Sequence, residues 1–171
     1  MTTFNNKIVY ANTLLFLERR GFEMIEYTEA DKNGAKPRML AKSRDTDQLL
    51  SVFFVENSKV TIQVIKSILS TLVPTCHHIV IMYAYSLTPD ARQIIFTQTD
   101  IFRFEVFHFD EMSYDPIELV PLHRKALEKP KEWIKLPHIL TSDIVARYYG
   151  FQAGDVIMIL ESGNITYRRC V

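Results

Sequence analysis

Four charged residues in the first third of the chain have the types and the order of a magnesium-dependent nuclease site. Asp45 and Asp47 precede an apolar run, Glu56 follows it, and Lys59 comes three residues later. In nucleases of the restriction-endonuclease type, carboxylates hold Mg²⁺ and a lysine two residues after a glutamate stabilises the developing charge. A spacing of three instead puts the two side chains on opposite faces of a strand. The pattern therefore also fits solvated strand ends and a helix start.

The other residue types that could bind a metal or act as a nucleophile lack the spacing that either role requires. The five histidines are His77, His78, His108, His123 and His138, and no two have the i,i+4 spacing of a metal-binding helix face. The serines lack a nucleophile elbow, and the chain contains no Gly-rich phosphate loop. We therefore expect no catalytic residue, no metal site and no cofactor, with a Mg²⁺-dependent nuclease as the alternative.

The charge balance argues against a protein that binds nucleic acid by itself. The 171 residues include 20 Lys and Arg and 20 Asp and Glu, whereas such proteins usually carry a basic excess that neutralises phosphates. A hydrophobic share of 47% is typical of a globular chain. No apolar run approaches the roughly 20 residues that span a bilayer, and the N-terminus lacks a signal pattern. We expect a soluble intracellular protein in which Cys76 and Cys170 are reduced thiols.

The elements that must position these residues alternate between helices and strands along the N-terminal two thirds. The pattern predicts helices over 5–20, 59–72 and 88–98, and strands over 22–27, 49–55, 79–85 and 102–109, with a loop over 30–37. In the first helix, Ile8, Ala11 and Leu15 share one apolar face with Leu14 beside them. The alternation predicts an α/β (α+β) fold, in which helices flank a mostly parallel or mixed sheet.

A polar segment with a proline separates this part from a shorter C-terminal part, and we place the two domains at 1–111 and 117–171. The residue before a proline avoids the α region, which predicts extended backbone at Val120-Pro121 and at Leu136-Pro137, while any helix over 125–135 is brief. A helix over 143–149, capped by Thr141 or Ser142, ends at Gly150. Two strands, 156–160 and 165–170, follow with a hairpin at Gly163-Asn164.

Five C-terminal motifs occur in a fixed order. They are Leu119-Val120-Pro121-x-His123, Leu136-Pro137-x-Ile139, Asp143-x-Val145-Ala146-x-Tyr148-x-Gly150, Gly154-Asp155-Val156 and Tyr167-Arg168. Together they resemble the common fifth subunit of eukaryotic RNA polymerases, whose C-terminal module occurs alone as a small polymerase subunit in archaea. Upstream, Arg20-Gly21-Phe22 and Thr88-Pro89-Asp90-Ala91 are similar to that family's jaw domain. Asp90 and Ile144 depart from it, since serine and proline are usual there, and the stretch between His123 and Leu136 is shorter than usual.

The resemblance implies a non-catalytic subunit of a DNA-dependent RNA polymerase. Its N-terminal domain is a jaw with a nuclease-like fold but no activity, near downstream duplex DNA at Thr88, Pro89 and Ala91. Asp90 predicts that this contact is weak, because a carboxylate repels phosphates. Its C-terminal domain is an assembly domain that docks on the largest subunit. For docking we select Pro121, His123, Pro137, Val145, Arg147, Tyr148, Tyr167 and Arg168.

Arg and Tyr are residue types enriched at protein interfaces, although an aromatic core with surface arginines fits the same sequence. The expected partners are the largest and other polymerase subunits and, weakly, DNA, but no membrane. The expected location is nuclear, or cytoplasmic or in a virion for a protein of a large DNA virus. A free transcription regulator or adaptor that carries the same module is a further alternative.

Overall fold

The computed structural model describes residues 6–30, 36–97 and 100–171. It divides the chain into two compact units, with the boundary between Tyr114 and Asp115. The first unit contains α1 (Asn6–Arg19), β1 (Phe22–Thr28), β2 (Arg38–Ser43), β3 (Leu49–Val55), α2 (Ile62–Ser70), β4 (His78–Tyr83), α3 (Pro89–Thr97), β5 (Arg103–His108) and a 3-10 turn (Phe109–Met112). The second contains β6 (Leu122–Lys125), a 3-10 turn (Trp133–Lys135), β7 (His138–Ile139), α4 (Ile144–Tyr149), β8 (Val156–Glu161) and β9 (Asn164–Cys170).

The N-terminal unit is built on a mixed sheet with the strand order β1-β2-β3-β4-β5. β1, β2 and β3 pair antiparallel, and β3, β4 and β5 pair parallel, so the predicted mixed sheet is confirmed. Strand β2 was not predicted. Its sequence, RMLAKS, has no β-branched residue, and it is a strand because it lies between β1 and β3 with its centre buried. Much of the predicted loop over 30–37, and Gln98 at the predicted end of α3, lie outside the described residues.

Helices cover both faces of this sheet. On one face, Phe53 and Val55 of β3 form a core with Ile65 of α2 and Ile95 of α3. On the other face, the Phe54 ring lies 4.3 Å from the Tyr10 ring of α1, edge to face. Because alternate residues of a strand point to opposite faces, β3 must be apolar on both. This double burial explains why its sequence is a nearly continuous apolar run rather than an alternating one.

Helix α1 buries a different face from the one that its spacing suggests. Val9, Thr13 and Phe16 are buried, whereas Ile8 and Leu15 are 43% and 39% exposed. The helix carries apolar residues on nearly all sides, so helical periodicity does not distinguish the inner face from the outer one. Contacts with the sheet determine which face of α1 is buried.

A buried ion pair joins the end of α1 to β5. The Arg20 guanidinium, whose side chain is 4% exposed, donates to both carboxylate oxygens of Glu105 at 3.0 and 2.7 Å. His78 Nε2 lies 2.7 Å from the same carboxylate. Burial raises the pKa of Glu105, but Arg20 and His78 together outweigh it and hold that pKa far below its usual range. Gly21, at φ 77°, makes the left-handed turn that ends α1 beside this pair.

The C-terminal unit is a four-stranded sheet of order β6-β8-β9-β7, and α4 packs on one of its faces. α4 begins at Asp143, whose carboxylate accepts from Val145 N at 2.8 Å, so the predicted cap at Thr141 or Ser142 is wrong. Asp143 is one residue closer to α4 than Ser142, so its carboxylate reaches the free N–H groups of the first turn. Gly150 ends the helix at φ 71°, as predicted. The two-residue hairpin loop is Ser162-Gly163, one residue earlier than expected.

No helix in the described part of the chain is both long enough and apolar enough to cross a membrane.

Candidate functional site

A groove of about 500 Å³ lies on the α4 side of the C-terminal sheet. Its walls come from all four strands, from the start of α4 and from the segments before β6 and α4. The lining residues are Val120, Pro121, His123, His138, Ile139, Leu140, Asp143, Val145, Ile159, Glu161, Thr166 and Arg168. Half of the lining residues are apolar and half are polar or charged, a mixture that fits a protein interface.

The groove exists because α4 is too short to cover the sheet. A helix of six residues is only about 9 Å long. Ala146 packs over Ile157, Ile159 and Cys170, and α4 does not extend over the rest of that face. Strand register places His123 opposite Ile159, and Ile159 opposite Thr166, so the three side chains share the face on which α4 packs.

His123 is the polar residue most deeply set in this groove. It is only 8% exposed, and its Nδ1 lies 2.6 Å from the Pro121 carbonyl oxygen. Because a carbonyl only accepts, Nδ1 must carry the hydrogen, and Nε2 of the neutral ring is then an acceptor. Since the chain between Pro121 and His123 is short, the proline-histidine motif orients the imidazole by a local contact.

Two charged residues of the groove, Asp143 and Arg168, also make contacts within the unit. Asp143 caps α4. Arg168 is exposed and donates to the His138 carbonyl oxygen at 3.3 Å. This bond uses one of the five N–H groups of the guanidinium. Val145 and Ile159 supply apolar surface. This arrangement suits an apolar side chain and a few hydrogen bonds from a bound segment; it does not align a nucleophile with a base.

Four of the residues selected for docking lie in the groove: Pro121, His123, Val145 and Arg168. Pro137 lies outside it and accepts from Arg169 N at 2.8 Å through its carbonyl oxygen. Arg147, in the last turn of α4, is half-buried.

Two features of the selected set need correction. Tyr148 is 1% exposed and belongs to the core of the unit, so its side chain is not offered to a partner. Tyr167 and Arg168 are adjacent on β9 and therefore point to opposite faces of the sheet. A flat partner surface contacts one of them but not both.

Sequence reasoning missed several groove residues. Val120, Ile139 and Asp143 stand inside the five C-terminal motifs, so a signal for them was present. Ile159 and Thr166 carry no motif. They face the groove because of the strand pairing, which the alternation of β8 and β9 about the hairpin could have indicated.

The residues assigned to DNA proximity lie at the start of α3. Thr88 Oγ1 accepts from Ala91 N at 3.3 Å, which confirms the predicted helix start. Pro89 and Asp90 are exposed. Ala91, in the first turn of α3, is completely buried in the core that α2 and α3 form with the sheet. Its side chain therefore has no surface for DNA.

The nuclease pattern does not assemble into a site. Asp47 precedes β3, is 97% exposed and pairs with Lys42 at 2.8 Å. Glu56 follows the far end of β3 and accepts from the Tyr10 hydroxyl. The two residues are nine positions apart along largely extended chain, a span of about 30 Å. Among the residues that the structure describes, no group of three His, Cys, Asp or Glu could hold a metal ion.

Comparison with known proteins supports the motif assignment. Residues 118–171 match the family model "RNA polymerase Rpb5, C-terminal domain". A Dictyostelium discoideum protein named DNA-directed RNA polymerases I, II, and III subunit rpabc1 is 32% identical over 150 residues, which cover 76% of each chain. The Caenorhabditis elegans protein of that name is 29% identical over 78% of this chain and 71% of its own.

A structural similarity to the MspJI restriction endonuclease bound to an oligonucleotide is weak. Its TM-score is 0.38 at 11% identity, and it covers 64% of this chain and 27% of that one. It carries no argument about fold or activity. The similarity to the named subunits, which extends over both units, decides the assignment: the chain belongs to the Rpb5 (RPABC1) family, the common subunit of DNA-directed RNA polymerases I, II and III, and is a non-catalytic subunit rather than an enzyme.

Proposed function

We propose that this protein docks on the largest subunit of its polymerase through the groove of its C-terminal unit. The observation that carries the proposal is the convergence of Pro121, His123, Val145 and Arg168 on one groove. The four residues come from three separate motifs and span 48 positions of sequence, yet they line one surface.

The chemistry of the groove suits an extended segment of the partner. An apolar side chain of that segment packs on Val145 and Ile159, and a partner N–H or O–H donates to His123 Nε2. Arg168, at the rim, pairs with a partner carboxylate or donates to a backbone carbonyl oxygen of the partner. Such a site combines a small apolar centre with a polar rim, the usual anatomy of a protein interface.

The N-terminal unit is then a jaw that lies near downstream DNA in the assembled enzyme. Thr88 and Pro89 are its closest points, and the contact is weak because Asp90 occupies the positive end of α3. In this role the unit acts by its position in the complex. The relatives are named as eukaryotic polymerase subunits, which supports a nuclear location for this protein.

Affinity purification of the tagged protein from its own source at high salt tests the proposal. The largest subunit is expected in stoichiometric amount with the wild-type chain, and Arg168→Glu is expected to reduce its recovery about tenfold, because a carboxylate replaces the cation at the groove rim. Lys66→Glu, on the exposed side of α2, is the charge-matched control and keeps full recovery. The groove assignment fails if Arg168→Glu, shown to be folded by circular dichroism, recovers the largest subunit as well as the control does.

A further inference from the structure

The face of the C-terminal sheet opposite α4 carries an exposed apolar row. Leu122 pairs with Leu160 across β6 and β8, and Leu160 pairs with Ile165 across β8 and β9. The three side chains therefore stand side by side on one face. They are 39%, 38% and 54% exposed, respectively. Adjacent exposed aliphatic residues on three neighbouring strands form a patch, whereas isolated exposed aliphatic residues are ordinary.

The segment that connects β6 to β7 leaves this row uncovered. β6 and β7 are the two edge strands, so residues 126–137 must traverse the sheet from one edge to the other. The segment contains a short 3-10 turn, and its Trp133 ring lies 6.0 Å from the Arg169 guanidinium. Arg169 is at the end of β9 remote from the hairpin. The apolar row lies at the hairpin end, beyond the reach of that contact.

The charged strand side chains on this face are cationic. The four strands are described along their whole length, and the ionisable side chains that they present on this face are Arg124, His138, Tyr167 and Arg169, with no carboxylate among them. The crossing segment adds Lys129, Lys131 and Lys135 against Glu128 and Glu132, and Lys135 is paired with Glu132 at 2.9 Å. The face therefore presents an aliphatic row near the hairpin, with positive charge on the side away from the hairpin.

We propose that this face binds an acidic amphipathic α-helix of another protein. Three adjacent strands span about 10 Å, which matches the diameter of a helix. Aliphatic residues at i, i+3, i+4 and i+7 of such a helix pack on Leu122, Leu160 and Ile165. Aspartates and glutamates beside that stripe face Arg124, which lies one pair further along β6 on the same face. Because this face is opposite the groove, the helix is bound independently of docking on the largest subunit.

The probe is a synthetic helical peptide with a leucine stripe flanked by glutamates, titrated into the purified full-length chain and followed by fluorescence anisotropy. A second peptide has lysine at every glutamate position, and a third has the composition of the first in scrambled order. We expect saturable binding of the first peptide only. Ile165→Asp weakens that binding about tenfold, because it places a charge in the apolar row. Thr166→Asp is the matched control on the adjacent residue, whose side chain faces the groove, and it leaves binding unchanged.

Four outcomes overturn the proposal: no binding, equal binding of the lysine peptide, equal binding of the scrambled peptide, and equal loss in Ile165→Asp and Thr166→Asp. Sedimentation of the chain alone tests for a second copy as the occupant, and a dimer that Ile165→Asp dissociates also overturns it. If Ile165→Asp does not fold, methyl NMR of the wild-type chain decides. Shifts of Leu122, Leu160 and Ile165 on titration support the proposal, and shifts confined to other methyl groups refute it.

Discussion

At the scale of single residues, the N-terminal unit depends on one carboxylate that joins three elements. Glu105 on β5 is held by Arg20 at the end of α1 and by His78 on β4. A buried ion pair is weak evidence of net stabilisation, but removal of one partner leaves the other charge buried and unpaired. The Arg-Gly-aromatic motif after α1 thus has a structural reason in this fold.

We predict that Glu105→Gln destabilises the N-terminal unit by about 3 kcal/mol at pH 7, since the Arg20 guanidinium then loses its buried counter-charge. The folded-state pKa of Glu105 is lowered, so the stability that its ionisation contributes is present at neutral pH and is lost progressively below its ordinary value of 4.5. The wild-type protein should therefore lose stability between pH 7 and about pH 3, and the Glu105 part of that loss should fall below pH 4.5, where the variant should show a shallower dependence. Urea unfolding at both pH values measures this.

His78 contributes to the same acid sensitivity. Burial lowers its pKa despite the nearby Glu105, so the unfolded chain takes up a proton first as the pH falls below 6.5. This part of the pH dependence should remain in Glu105→Gln and become larger, because the variant lacks the carboxylate that raises the pKa of His78. Glu18→Gln, on the exposed side of α1, is the control and should match the wild type. Equal pH dependence of Glu105→Gln and the wild type below pH 4.5 contradicts the assignment.

At the scale of elements, the β8–β9 hairpin determines which residues face the groove and which face the opposite side. Its loop residues Ser162 and Gly163 both have positive φ, at 50° and 84°, which is the type I′ geometry whose twist matches that of paired strands. Correct register is needed on both faces, because a slip of one residue along β9 would exchange Thr166 and Arg168 for Ile165 and Tyr167.

Gly163→Ala is predicted to destabilise the protein by about 1 kcal/mol, since a Cβ disfavours the left-handed conformation that the loop requires. Among the described residues beyond its chain neighbours, no atom lies within 4 Å of the position that a Cβ at Gly163 would occupy, so the effect comes from the backbone and not from a clash. Ser162→Asn is the companion change and should be neutral or stabilising, as asparagine tolerates this conformation. Thermal unfolding of the two variants beside the wild type gives the comparison, and an unchanged midpoint for Gly163→Ala contradicts the loop geometry.

At the scale of the whole molecule, equal numbers of basic and acidic residues limit what the protein does by itself. A family member that acts within a polymerase receives its position from the partner and does not need to bind DNA on its own. The same balance means that local charge patterns, such as the cations on the same face as the apolar row of the C-terminal sheet, decide which partner fits which face.

The isolated protein is therefore predicted to bind duplex DNA no more tightly than micromolar at physiological salt, because it releases few counterions. Electrophoretic mobility shift of a short duplex measures this over a salt series. Asp90→Ser removes the carboxylate at the start of α3 and should strengthen the contact only slightly. A nanomolar affinity of the wild-type chain at physiological salt contradicts the prediction and shows a DNA-binding function outside the polymerase.

Local sequence alone determined most element types and the ends of several helices. Thr88-Pro89 begins α3 and Gly150 ends α4, because capping groups and left-handed glycines act on neighbouring backbone and need no distant partner. The alternation of strands and helices predicted the mixed sheet, and five ordered motifs indicated the polymerase family without any knowledge of tertiary contacts.

Only the tertiary structure decided which surfaces these elements present. It buried Val9 and Phe16 of α1 instead of Ile8 and Leu15, made a strand of Arg38–Ser43, and joined Arg20 to Glu105 across 85 positions of sequence. These features depend on contacts between residues far apart in the chain, and side-chain burial depends on what lies on the other side of each element. Sequence periodicity describes one element at a time, so the groove, formed by four strands and one short helix, follows only from their assembly.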